Sequence, residues 1–307
     1  MIAFGGPLIV VSIAFSNLVR GEGDAKSAMV GMMSGTIANI ILDPFFILPQ
    51  FLGMGVAGAA VATLIGNLVS IIVYLAHVVS KKSALSISPA FFTVKDGVFT
   101  GVLAIGLPAS ITNILMSLSN IVLNKQLVTY GDIPVAAMGI AMKANMLVIF
   151  VQMGIAMGVQ PLIGYNYGAK NYKRMKAALR FSLFVDIAAG VLLAAVYYIF
   201  TREIISVFMK DNPAVIDSGM MMLRALMISS PVLGIMFILN FTFQAMGKAL
   251  PSLSLAVSRQ GFIFLPLIFI LKEMFGLDGL VLAQPIADYA SIAMAVIMFL
   301  VMARKLK

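Results

Sequence analysis

The chain has no cysteine and no tryptophan, a single histidine, and charge on only 11% of its residues. Without thiols there are no disulfides and no Cys-ligated metal site, and the redox compartment cannot be read. One isolated His77 cannot build a His-rich metal centre, so it reads as structural. No GxxxxGK[ST] run occurs, so nothing points to ATP hydrolysis. Paired acids and nucleophile–base patterns are missing too, which argues against a membrane enzyme. The shortage of charge excludes a soluble domain, which needs more polar surface than this.

What the chain has is hydrophobic residues, 61% of the total, in helix-length runs. About 20 apolar residues cross a bilayer as a helix. The lack of alternating ten-residue strands argues against an outer-membrane barrel. The fold class is an all-α membrane protein. Charge-poor windows give nine spans, roughly 1–18, 27–48, 56–79, 98–124, 135–163, 180–200, 215–246, 253–271 and 279–301. Residues 1–18 have no basic flank and no small-residue cleavage site, so they read as a span rather than a signal peptide.

A net charge of +9 would suggest nucleic acid in a soluble protein. Here the basic residues sit in short loops, so membrane orientation accounts for them and no nucleic-acid partner is expected. One face receives Arg20, Lys26, Lys81, Lys82, Lys95, the basic run 170–176, Lys248, Arg304, Lys305 and Lys307. The other receives Lys125, Arg202, Lys210 and Lys272. The richer face is cytoplasmic by the positive-inside rule, which places the C-terminus inside and, with nine spans, Met1 outside. The expected location is the cell membrane, with multiple passes.

An internal repeat bears on that count. FSNLVRGEGDAKSAM (15–29) corresponds to FTFQAMGKALPSLSL (241–255), and GVAGAAVATLIGNLVS (55–70) to LDGLVLAQPIADYASI (277–292). Gly23 matches Gly247, an offset of 224, and Gly58 matches Gly279, an offset of 221. Such an offset holds six spans, and same-sense six-span repeats are a known transporter plan. Spans one to three then pair with seven to nine, while four to six lack partners. The expectation is the last nine spans of a twelve-span design, short of about 125 residues by that offset. The alternative is a true nine-span protein. The division is three spans in 1–80, a cytoplasmic linker at 81–97 carrying Pro89, and a six-span bundle in 98–307.

Few ionisable groups lie at depth. The run 27–80 contains one formal charge, Asp43, within NIILDPFFI. A mid-helix acid costs about 3 kcal/mol to insert, so it faces a cavity or a partner. Asn39 and Asp43 are four residues apart and share a helix face. Pro44 cannot donate its amide and kinks the helix, freeing the carbonyl of Ile40. These oxygens suit Na⁺ or a proton, and Thr63 on the next span can add a hydroxyl. The structural alternative is a buried acid bonded to polar neighbours. Asp288, with Gln284 at i−4, and Lys143 form a possible second polar site. Asp186, near Arg180, reads as interfacial, and Arg180, Arg224 and Arg259 as snorkelling to headgroups. In QPLIGYNYGAKNYKRMK (160–176) the tyrosines read as an aromatic belt, with Gly164 and Gly168 able to shape a tight hinge loop.

Taken in order, RGEGDAKSAM, NIILDPFFI, GVAGAAVAT, QPLIGYNYGAKNYKR and AQPIAD resemble the multidrug and toxic compound extrusion (MATE) family across nearly the whole chain. The resemblance implies twelve spans in two lobes, of which this chain holds three N-lobe spans and the C-lobe. It implies export of cationic amphiphilic small molecules in exchange for H⁺ or Na⁺, with no other cofactor. In the DinF-like branch the ion site would map onto Asn39, Asp43 and Thr63, while an acid from the first span has no counterpart here. The NorM-like branch uses acids in spans that correspond to 98–124 and 215–246, and the first of these contains none. Two alternatives stand beside efflux: a lipid-linked precursor flippase of the same broad fold, and a non-transporting fragment. Oligomeric state is not legible.

Overall fold

A computed structural model of the chain describes residues 2–80, 83–86, 88, 90 and 97–304. The linker expected at 81–97 lies largely outside the described residues, as do Met1, Lys81, Lys82, Pro89, Lys95, Lys305 and Lys307. Among the described residues every regular element is helical. The chain divides into two compact units, Met1–Asp96 and Gly97–Lys307.

The first unit holds α1 (Ile2–Gly21), α2 (Ala25–Ile47) and α3 (Gly55–Val79). Asp24 starts α2 by accepting from the Ser27 amide at 2.9 Å and the Ser27 hydroxyl at 2.7 Å. Such a cap contributes about 1 kcal/mol by satisfying an otherwise orphan N–H. In lipid, helices associate by close packing over small residues rather than by expelling water. Here α2 lays Gly31 and Gly35 against Tyr74, Ser70 and Gly66 of α3, and α3 lays Gly58 against the Phe46 backbone. A Cβ at any of these four glycines would overlap its neighbour. The Tyr74 hydroxyl closes the join by donating to the Ala28 carbonyl at 3.1 Å.

The second unit holds α4 (Val98–Val128), α5 (Asp132–Gly168), α6 (Tyr172–Ile199), α7 (Thr201–Phe208), α8 (Pro213–Met227), α9 (Ser230–Ala245), α10 (Ala249–Val257), a π-helical segment at Ser258–Phe264, and α11 (Leu265–Ala303). Asn171 caps α6 through the Arg174 amide at 3.1 Å, after a short turn in which Lys170 takes a positive φ of 56°. That turn divides the 160–176 segment: residues 160–168, with Gly164 and Gly168, continue α5 rather than forming a loop, and 172–176 begin α6.

Two breaks were not evident in the sequence windows. The run expected as one span at 215–246 is bent by 50° between α8 and α9, where Pro231 in the first turn of α9 has no amide to continue α8. Within α11, Gly276 leaves helical geometry at φ 61° and ψ −129°. The Leu271 carbonyl then occupies the place of a Gly279 Cβ, so the chain folds back there. Among the described residues, five helices are long and apolar enough to cross a membrane, or six with the α8–α9 pair taken as one span, and the run 249–303 is counted once.

The core of the second unit is built in two apolar clusters. One gathers Leu127, Met138, Ala144, Val148, Leu223 and Ala287, and the other Ile163, Met175, Leu179, Leu239, Phe243 and Ala295. On α5, α6, the α8–α9 break and α11, polar residues are buried too, among them Gln152, Asp186, Ser229, Ser230 and Asp288. Each sits near the middle of its helical run, and these five are called the polar layer below.

Candidate functional site

In the first unit, α2 carries Asn39 and Asp43 on one face, as the four-residue spacing requires. The Asn39 side-chain amide donates to the Asp43 carboxylate over 3.4 Å, and both residues are half-buried. Pro44 follows inside α2, which continues to Ile47 and ends with the Leu48 amide on the Pro44 carbonyl at 3.1 Å. Proline has no N–H, so the Ile40 carbonyl has no i+4 amide to accept from. On α3, a Cβ at Gly66 would stand 3.0 Å from the Asn39 Cβ. That contact brings the α3 backbone against Asn39. Thr63 lies three residues before Gly66, on the same face of α3. Its hydroxyl donates to the Ala59 carbonyl at 2.8 Å, so its proton is committed within its own helix while its oxygen can still accept.

His77, read as structural, bonds Glu22 at 2.7 Å at the end of α3. Glu22 also accepts from the Ser83 hydroxyl at 2.9 Å and the Ala84 amide at 3.0 Å. Burial would push the Glu22 carboxyl up, but the hydrogen bonds from His77, Ser83 and Ala84 outweigh it and hold the group below its ordinary range. Asp24 is also held low, chiefly by the Ser27 amide and hydroxyl.

In the second unit, Asp288 is 2% exposed and lies in a complete network. One carboxylate oxygen accepts from Arg259 Nε at 2.8 Å and from Gln284 at 2.9 Å, and the other from the Ser229 hydroxyl at 2.8 Å. The pairing of Gln284 with Asp288 follows from their spacing. Lys143 does not enter this cluster: it points outward from α5 beside the buried Ala144. Arg259 corrects a second expectation. Its side chain is 14% exposed and ion-paired with Asp288 rather than reaching for headgroups. The π segment carries it there, and no local signal in the sequence marks that segment.

Asp186 is corrected as well. The charge-poor window placed it near a span end, but α6 begins at Tyr172 and Asp186 is fully buried, packed against Gly234. Fourteen residues at about 1.5 Å each put it some 21 Å along the helix. The available signals were Gln152 and the Ser229–Ser230–Pro231 triplet, polar residues in the middle of apolar runs.

Several known proteins are similar to this chain. Residues 108–270 match the MatE family. The multidrug export protein MepA of Staphylococcus saprophyticus is 27% identical over 282 residues, 92% of this chain and 61% of that protein. The chain therefore spans less than two thirds of that relative's length. A multidrug resistance MATE family transporter of the MOP superfamily, solved facing outward, superposes with a TM-score of 0.87 at 26% identity, over 97% of this chain and 66% of that one. A MOP superfamily transporter from Pyrococcus furiosus, described as having a binding pocket of reverse polarity that suggests a different function, superposes with a TM-score of 0.88 at 27% identity, over 98% and 67%. The family match covers more than half of the chain and the structural likeness nearly all of it: the chain belongs to the MatE family of membrane transporters.

Proposed function

We propose that this chain serves secondary active efflux of cationic amphiphilic small molecules, driven by entry of H⁺ or Na⁺ at Asp43. The observation that carries the reading is the Asn39–Asp43 pair, half-buried in α2 at 3.4 Å and followed by a proline that frees a carbonyl beside it. An acid at that depth is costly when bare and neutral once it holds a cation. Binding and release of H⁺ or Na⁺ thus change the charge next to a helix weakened by Pro44, which couples the ion to a change of shape. Asn39 and Thr63 supply the additional oxygens. No acid lies within 98–124, which favours this DinF-like arrangement over the NorM-like one.

In this reading the chain provides nine spans, three from an N-lobe and six forming the C-lobe, with the C-terminus on the cytoplasmic side. The flippase alternative needs a cationic cavity for an anionic headgroup. It is weakened by Arg259, whose charge is already matched by Asp288. The test is efflux of a fluorescent organic cation from cells or proteoliposomes under imposed pH and Na⁺ gradients. Asp43→Asn abolishes gradient-driven efflux if the reading is right. Undiminished efflux by that variant refutes it.

A further inference from the structure

Four buried side-chain atoms in the second unit have no hydrogen-bond partner among the described residues: both Asp186 carboxyl oxygens, Gln152 Oε1 and the Ser230 hydroxyl oxygen. Asp186 and Gln152 are 0% exposed and Ser230 is 1% exposed. They stand on three helices, α6, α5 and α9. Their neighbours are built around them. Gly234 of α9 packs on the Asp186 carboxyl, whose atoms fill the place of a Cβ there. Gly190 of α6 lies against the Gln152 amide and the Ser230 carbonyl, which a Cβ would meet at 2.6 and 2.7 Å. The Gln152 amide in turn donates to the Ser230 carbonyl at 2.6 Å.

The two buried acids of this unit are provided for in opposite ways. Asp288 has a guanidinium and two hydrogen-bond donors. Asp186 has none of these. The elements packed against α6 bring Asp132, Lys143, Tyr165 and Tyr167 on α5, Arg202 and Glu203 on α7, and Asp217 and Arg224 on α8, while α9 has no ionisable residue. None of them pairs with Asp186. A bare carboxylate in such a place costs several kcal/mol, so the charge must be removed or matched. A hard cation takes a compact shell of several oxygens. Among the described residues no group of three or more His, Cys, Asp or Glu side chains could hold a metal ion, and one face of the Asp186 carboxyl is occupied by Gly234.

We propose that Asp186 is a proton-binding site of the second unit, separate from Asp43 and independent of it. The step is a plain transfer: a hydronium O–H bond breaks as the carboxyl O–H bond forms, leaving water, and on release the carboxyl O–H bond breaks as water takes the proton back. The neutral acid permits α6 and α9 to close at Gly234. The anion favours their separation, with the bent α8–α9 junction next to Ser230 as the part free to move.

The test is infrared difference spectroscopy of the purified full chain in lipid nanodiscs, with the pH stepped upward from neutral. A protonated-carboxyl band is expected at neutral pH, losing one component in Asp186→Asn and keeping that component in Asp43→Asn. An unchanged band in Asp186→Asn, or no such band in the unmodified chain, overturns the proposal. Should Asp186→Asn fail to fold, Asp43→Asn combined with Arg259→Met/Asp288→Asn, which strands no charge, must keep that component, and its loss there overturns the proposal equally. The readout needs no transport, so failure of the Asp43 reading leaves it intact.

Discussion

Replacing Arg259 by methionine tests how the polar layer of the second unit is held. The side chains of Arg259 and Asp288 are 14% and 3% exposed, with Nε 2.8 Å from the carboxylate. Removing one member of a buried pair leaves the other uncompensated, at a cost of about 3–5 kcal/mol. Here the Ser229 and Gln284 donors stay on the carboxylate at 2.8 and 2.9 Å. Hydrogen bonds to a charged group are worth about 1.5–3 kcal/mol each, so the lower end applies. The expected loss for Arg259→Met is about 3 kcal/mol, roughly 150-fold in the folding equilibrium. Asp288→Asn, which strands the guanidinium instead, should cost a similar amount. The double variant has no stranded charge and should be at least about 2 kcal/mol more stable than the sum of the single losses. The assay is equilibrium unfolding of the purified protein in mixed micelles, followed by helical circular dichroism. If Arg259→Met costs under about 1 kcal/mol, or if the cycle is additive within about 0.5 kcal/mol, the pair does not hold this layer together.

Two further outcomes follow from the first unit. Gly66→Ala places a methyl 2.7 Å from the Gly35 carbonyl oxygen and 3.0 Å from the Asn39 Cβ. The expected loss is about 1–3 kcal/mol, seen as a lowered thermal midpoint, whereas Gly139→Ala, with nothing within 4 Å, should leave that midpoint unchanged or raised. Glu22 titrates below its ordinary range, so its contribution is fully present above the unfolded value and is lost as pH falls through the lowered one. Thermal midpoints of Glu22→Gln and the unmodified chain should therefore converge on acidification through that value, and a constant gap would contradict the Glu22 assignment.

The helical, membrane-spanning character was legible because it depends on composition and run length, which need no partner. Asn39–Asp43 and Gln284–Asp288 were legible for a similar reason: four residues along a helix place side chains together whatever surrounds it. The depth of Asp186 was misjudged because apolar windows mark where charge is scarce, whereas α6 begins in the basic stretch 172–176 and carries it through. The pairing of Arg259 with Asp288 joins residues 29 positions apart across a π segment and a fold-back at Gly276. No periodicity in the sequence encodes that approach.

What the sequence determined alone was therefore local: an all-helical membrane chain, an acid paired with an amide on α2, and a proline beside them. What only the tertiary structure decided was which buried charge has a partner. Asp288 and Asp186 look alike in the sequence, each an acid within an apolar run. Packing brings a guanidinium to the first and a bare glycine to the second, and the electrostatic cost of a buried carboxylate depends on that difference.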